Sequence, residues 1–162
     1  MTIRIVRLGS PRRSDEGLRI GTVRRPPRGV RKEDYASKNI YDVWFPNLSP
    51  SEGLLKQYFP ITEEKSWRAF QRRFLTEMKA PAPTRDLDLL AALSHQTNFS
   101  IGCYCDDESK CHRSILRNLL EKREARGGPD MTYNATPNNS LQRTRLRHWV
   151  VRLLLAVVAQ YG

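Results

Sequence analysis

The feature that most limits what this chain can fold into is the order of three segments in its middle: an amphipathic helix, a short strand-type run, and a second amphipathic helix. "TEEKSWRAFQRRFLTEMK" places Trp67, Phe70, Phe74 and Met78 three and four residues apart, the spacing of a single helix face, with Thr62 expected as cap and acidic residues in the first turn. "FSIGCYC" is a short apolar run of strand type, and "KCHRSILRNLLEKREARGG" returns to helical spacing with Ile115, Leu116, Leu119 and Leu120 before its glycines. Helix, strand, helix is the grammar of an α/β fold: a small layered domain whose sheet is at least partly parallel and flanked by helices.

The flanking segments extend that pattern. In "TIRIVRL" Ile3, Ile5 and Leu8 point one way, as in a half-buried strand, and "LRIGTVRR" reads as a second strand that "PPRG" must end, because two prolines fix the backbone and remove donors. "IYDVWFP" reads as a third strand or an extended packing segment. In "LSPSEGLLKQYF", Ser49 is expected as N-cap with Pro50 at the first helical position and Glu52 closing a capping box. "APAP" is expected to separate the tryptophan helix from "TRDLDLLAALSHQ", where Thr84 caps and Leu87, Leu90, Ala91 and Ser94 share a face.

A chain of 162 residues fits one compact domain, and composition shifts only near its end. Residues 1–127 are expected to form the α/β domain, 128–145 a polar, turn-forming linker, and 146–162 a weakly structured apolar and basic C-terminal extension. The uninterrupted apolar run Leu153 to Ala159 falls far short of the roughly 20 residues a spanning helix needs, so no transmembrane segment is expected. The opening "MTIRIVRLG" has no apolar region of the secretory kind, and 3 cysteines cannot all pair, so a cytoplasmic, reducing location is expected. An excess of 28 Lys and Arg over 17 Asp and Glu gives +11, which attracts polyanions without specifying any.

The chemistry concentrates in "GCYCDDESKCHRSILRNLL", which holds all 3 cysteines. Three readings stand. Cys103, Cys105, Cys111 and His112 are four thiolate and imidazole donors of the kind zinc prefers, with His95 as a substitute for His112; the adjacency of Cys111 and His112, which diverge by about 100° on a helix, argues against an ordinary closed site. Alternatively, Cys111 near a helix start is a low-pKa thiolate with His112 as acid/base, and Arg113 binds an anion there; Asp106, Asp107 and Glu108 oppose that anion. Or the cysteines are buried strand residues without chemistry. A second cluster, "VRRPPRGVRK", offers Arg25, Arg28 and Gly29 as an anion cradle on a loop leaving a strand.

"RIGTVRRPPRGVRKEDYASKNIYDVWFPNLSPS", "WRAFQRRFLTEMK" and "ALSHQTNFSIGCYCDDESKCHRSILRNLL" together resemble the uncharacterised bacterial family termed domain of unknown function 488, through an Arg-x-Pro-Arg-Gly loop at Arg25 to Gly29 and a Cys-x-Cys to Cys-His-Arg segment at Cys103 to Arg113. The resemblance runs from about Ile3 to Ala125 and implies a small cytoplasmic α/β domain, with no activity attached. It pairs the two motifs. The expectation is therefore a pocket in which the Arg28 loop and the Cys111 helix start bind an anionic small molecule or a metal such as zinc, as a hydrolase or thiol enzyme. The rival is a non-catalytic basic module associated with nucleic acid.

Overall fold

The computed structural model describes residues 2–127; the linker and C-terminal extension expected over 128–162 lie outside them. Four strands, β1 (Ile3–Arg7), β2 (Leu18–Gly21), β3 (Val43–Trp44) and β4 (Phe99–Cys103), form one sheet in the order β1-β4-β2-β3. Every pair is parallel, so the sheet is more uniform than the partly parallel one expected. Four α-helices accompany it: α1 (Glu52–Tyr58), α2 (Glu64–Glu77), α3 (Pro81–Leu93) and α4 (His112–Glu121). Among the described residues no helix is long and apolar enough to cross a membrane.

Alternation along the strands divides the sheet into two unlike faces. Ile3, Ile5, Phe99 and Ile101 join Trp67, Phe70, Phe74, Leu87, Leu90, Leu116 and Leu120 in one apolar core, so the helices lie against that face. The opposite parity carries Arg4, Arg19 and Ser100, all buried, together with Gly21 and Gly102. The two glycines are aligned in register. A Cβ at Gly21 would stand 2.4 Å from the Tyr41 ring, and one at Gly102 2.5 Å from Leu8, so small residues there let those side chains pack flat on the sheet.

The tryptophan helix lies as its spacing predicts: Trp67, Phe70, Phe74 and Met78 are buried, and Trp67 stacks on Phe70 with ring centroids 5.5 Å apart. Trp67→Ala should cost about 3 to 5 kcal/mol of folding stability, read as a drop in denaturant midpoint; an unchanged midpoint would place that face outside the core.

The helix starts differ from the sequence reading. Ser51, not Ser49, caps α1, its Oγ accepting from the Leu54 amide at 3.2 Å, while the Ser49 hydroxyl donates to Pro46 O at 2.7 Å and closes the 3-10 turn Pro46–Leu48. Glu63 rather than Thr62 occupies the N-cap of α2. "APAP" begins α3 instead of separating it: Pro81 takes the first helical position, where a missing N–H costs nothing, and the Thr84 hydroxyl donates to Met78 O at 3.1 Å from inside the helix. The "IYDVWFP" run pairs only through Val43 and Trp44, because Ile40 and Tyr41 are drawn into the core ahead of it.

Candidate functional site

β2 and β4 end side by side, and the Thr22 amide extends the ladder by donating to Gly102 O at 2.9 Å. Ligand sites of parallel sheets form at these carboxyl ends, where loops diverge. Here β4 stops at Cys103, a loop runs to Cys111, and α4 begins with Cys111 as its N-cap residue in extended conformation. The loop is fastened by its own acids. The Asp107 carboxylate accepts from the Ser109 amide and hydroxyl at 2.8 and 2.7 Å, Glu108 pairs with Arg117, and the Arg113 guanidinium donates to Cys105 O at 2.7 Å.

These fastenings gather the sulfurs. Cys103 Sγ and Cys105 Sγ stand 3.7 Å apart, and Cys111 Sγ stands 3.7 Å from His112 Nδ1. The donor atoms of Cys103, Cys111 and His112 all lie within 4.8 Å of one another, and all three residues are buried. Bonds of about 2.3 Å to sulfur and 2.0 to 2.1 Å to nitrogen around a tetrahedral zinc put neighbouring sulfurs about 3.8 Å apart, and sulfur and nitrogen about 3.6 Å apart. The two short separations match those edges. The adjacency of Cys111 and His112 is no obstacle, because Cys111 precedes the helix in extended backbone and so escapes the helical divergence.

The His112 ring is oriented by a group that sequence reasoning had no means of seeing, a backbone carbonyl. Nε2 lies 2.8 Å from Thr22 O, and a carbonyl only accepts, so Nε2 carries the hydrogen. The Thr22 hydroxyl donates to Gly102 O at 3.0 Å and lies 3.3 Å from the same Nε2. The edge-to-face ring of Phe74, 5.6 Å away, fixes the imidazole plane. In the neutral ring Nδ1 is then the lone-pair nitrogen, and it faces sulfur. Ligating histidines are ordinarily held in this way, the second ring nitrogen donating to a carbonyl.

The three thiols do not share one acidity: that of Cys111 is lowered and those of Cys103 and Cys105 are raised. Hydrogen bonds with the Cys103 and Cys105 sulfhydryls hold the Cys111 thiol below the usual range in spite of burial. The same contacts, Cys105 first and Cys111 second, push the Cys103 thiol well up. For Cys105, the contact with Cys103 lowers the thiol, but its contact with Cys111 and burial outweigh that and raise it to about 11.

A cavity of about 500 Å³ opens on the cluster and touches Cys103, Cys105 and His112; Cys111 lies beneath it, fully buried. Val23, Pro50, Leu55, Phe59 and Tyr104 supply apolar wall, and Arg24, Arg25, Glu52 and Lys56 complete the lining. Of the expected anion-binding residues, Arg25 reaches the cavity but pairs with Glu52 at 2.9 Å, and Arg113, which does not line the cavity, donates to Cys105 O. Arg28 and Gly29 are exposed and do not line it; Gly29 supplies a turn at φ 73°. Arg24, next to Arg25 in the same basic run, holds Pro50 O and Ser49 O at 2.9 and 2.8 Å, docking the loop on the start of α1. His95, the substitute ligand, is exposed beyond α3 and is no member of the cluster.

Fold and site together define a parallel α/β domain with a sulfur and imidazole centre at the carboxyl edge of its sheet. Within that class the chain belongs to the domain of unknown function 488 family: residues 3–124 match the family model described as the Active DUF488-N3 subclade, DUF488-N3a. Comparison with curated proteins and with solved structures found no match.

Proposed function

We propose that this protein is a metal-dependent domain in which Cys103, Cys111 and His112 Nδ1 hold a thiophilic divalent ion, zinc by preference, with Cys105 as the fourth donor within reach. The observation that carries the reading is the convergence of two thiols and a pre-oriented imidazole nitrogen within 4.8 Å. The ion would also balance the charge that thiolate ligands carry into a buried site. Burial favours coordination over a free nucleophile. The Cys111 sulfur is fully buried and does not line the cavity, so it is placed to hold an ion rather than to attack a molecule bound there.

The description of the matching subclade as active supports a working centre rather than a purely structural knot. A metal held by Cys103, Cys111 and His112 at the edge of a cavity, with Cys105 as a displaceable fourth donor, fits the arrangement in which the fourth position can pass to water or substrate, so a hydrolase or thiol-handling enzyme in a reducing compartment is the role that follows. Protein purified without chelator should contain one equivalent of zinc, measured by elemental analysis, and Cys111→Ser should contain none while keeping native circular dichroism. Metal-free wild type that also fails to take up added zinc or cobalt would overturn the reading.

A further inference from the structure

The four donors are not equivalent, and their inequality points outward to the cavity. Cys103, Cys111 and His112 are buried and mutually close. Cys105 lies two residues beyond Cys103, past the end of β4, half-buried and on the cavity lining. Its backbone is anchored through Arg113, but its side chain is the outermost of the set. A ligand held at the rim of a site is the one an incoming donor can replace.

The lining then says what the incoming molecule must be. Its body meets Val23, Pro50, Leu55, Phe59 and Tyr104, a surface that rewards apolar contact. The two arginines of the lining are engaged with protein groups, and Lys56 stands exposed at the rim. Arg24 turns its guanidinium to Ser49 O and Pro50 O, Arg25 turns to Glu52, and the Glu52 carboxylate at the same rim disfavours a second negative charge. The donor must suit a soft, sulfur-rich metal, which a thiol does and a carboxylate does not.

We infer that the cavity takes an apolar thiol as ligand of the metal, in exchange for Cys105; this rests on the metal reading above. The metal–sulfur bond to Cys105 breaks as a bond to the incoming sulfur forms, the proton of the incoming thiol passes to the Cys105 sulfur, and nothing is oxidised or reduced.

The test uses the full chain loaded with cobalt(II), whose visible bands and thiolate charge transfer report its ligands. The probes are phenylmethanethiol, 2-mercaptoethanol as the same donor without the body, and toluene as the body without the donor. Phenylmethanethiol should change the spectrum saturably and bind roughly 10- to 100-fold more tightly than 2-mercaptoethanol, the gain expected from burying the ring, while toluene leaves the bands alone. Cys105→Ser should retain cobalt and bind phenylmethanethiol more tightly, since its own ligand no longer competes. Leu55→Gln should erase most of the preference for the aromatic thiol. Cobalt bound with bands indifferent to both thiols, in wild type and in Cys105→Ser, would overturn this inference and leave the metal reading standing. Equal affinity for the two thiols would overturn the cavity's part in it. Failure to bind cobalt at all would remove the metal reading itself.

Discussion

Extracting the metal should lower the melting midpoint of the wild-type protein by roughly 10 to 20 °C, while Cys111→Ala melts at one temperature with or without chelator. An ion that binds only the folded state adds stability by mass action, about 4 kcal/mol when present at a thousand times its dissociation constant, and in a domain of this size each kcal/mol moves the midpoint by roughly 3 to 5 °C. The protein should nonetheless stay folded without the ion. The Ile3, Phe70, Phe74, Ile101 and Leu116 core is assembled without any contribution from the cysteines, which belong to a smaller cluster with Leu8, Val23, Ile40 and Tyr41. The effect should therefore be a shift of one cooperative transition, unlike a zinc finger, whose fold disappears with its metal. A second, lower transition appearing in the metal-free protein would mean that the carboxyl edge unfolds by itself. Identical midpoints with and without chelator in a protein shown to contain zinc would place the ion elsewhere.

The helix, strand and helix order predicted the α/β architecture because apolar spacing is a local property of the sequence, and Trp67, Phe70, Phe74, Leu87, Leu90 and Ile115 are all buried where that spacing places them. The cluster of Cys103, Cys111 and His112 was equally legible, since sulfur and imidazole within ten residues are hard to hide. What stayed invisible was whatever a distant segment supplies through its backbone. Thr22 orients His112 through a carbonyl, and any residue has one, so no side chain in "LRIGTVRR" marks the position. The Arg28 loop failed as a clamp for a related reason. Arginines advertise charge in sequence, but the fold decides whether their donors face a ligand or, as with Arg24 and Arg25, the start of the next helix. Pro81 misled because proline breaks a helix interior yet suits its first turn, and spacing alone does not say which is meant.

The sheet's other face carries the second large effect, and no spacing rule exposes it. Arg19 and Glu16 are a buried ion pair, 0% and 2% exposed, joined by two bonds of 2.6 and 2.9 Å. The remaining bonds explain why charge is retained there. Arg19 also donates to Ser10 O at 2.8 Å and Asn39 O at 2.7 Å, and Glu16 accepts from the Ser100 hydroxyl at 2.7 Å, so one pair ties the segment between β1 and β2 and the turn before β3 onto the middle of the sheet. Arg19→Met should cost about 3 to 5 kcal/mol, because it strands a buried carboxylate, and Arg19→Lys should recover little of this, since an ammonium cannot reproduce the two-pronged contact. The double variant Arg19→Met, Glu16→Leu should lose less than Arg19→Met alone, since no charge is left without a partner; a double variant that falls by the sum of the single losses would show the two residues act separately. The same pair sets the acid limb of stability. Burial pushes the Glu16 carboxyl up, but the hydrogen bonds from Arg19 and Ser100 outweigh it and hold the folded-state pKa below the ordinary 4.5. A carboxylate depressed by folding adds stability that is complete above its unfolded pKa and drains away as pH falls through the folded one. Denaturant midpoints should thus be steady above about pH 5 and fall below about pH 4.5. Glu16→Gln, whose own loss is independent of pH, should flatten that fall; an acid limb as steep as that of wild type would assign it to other carboxylates such as Asp42, which Arg12 holds low in the same way.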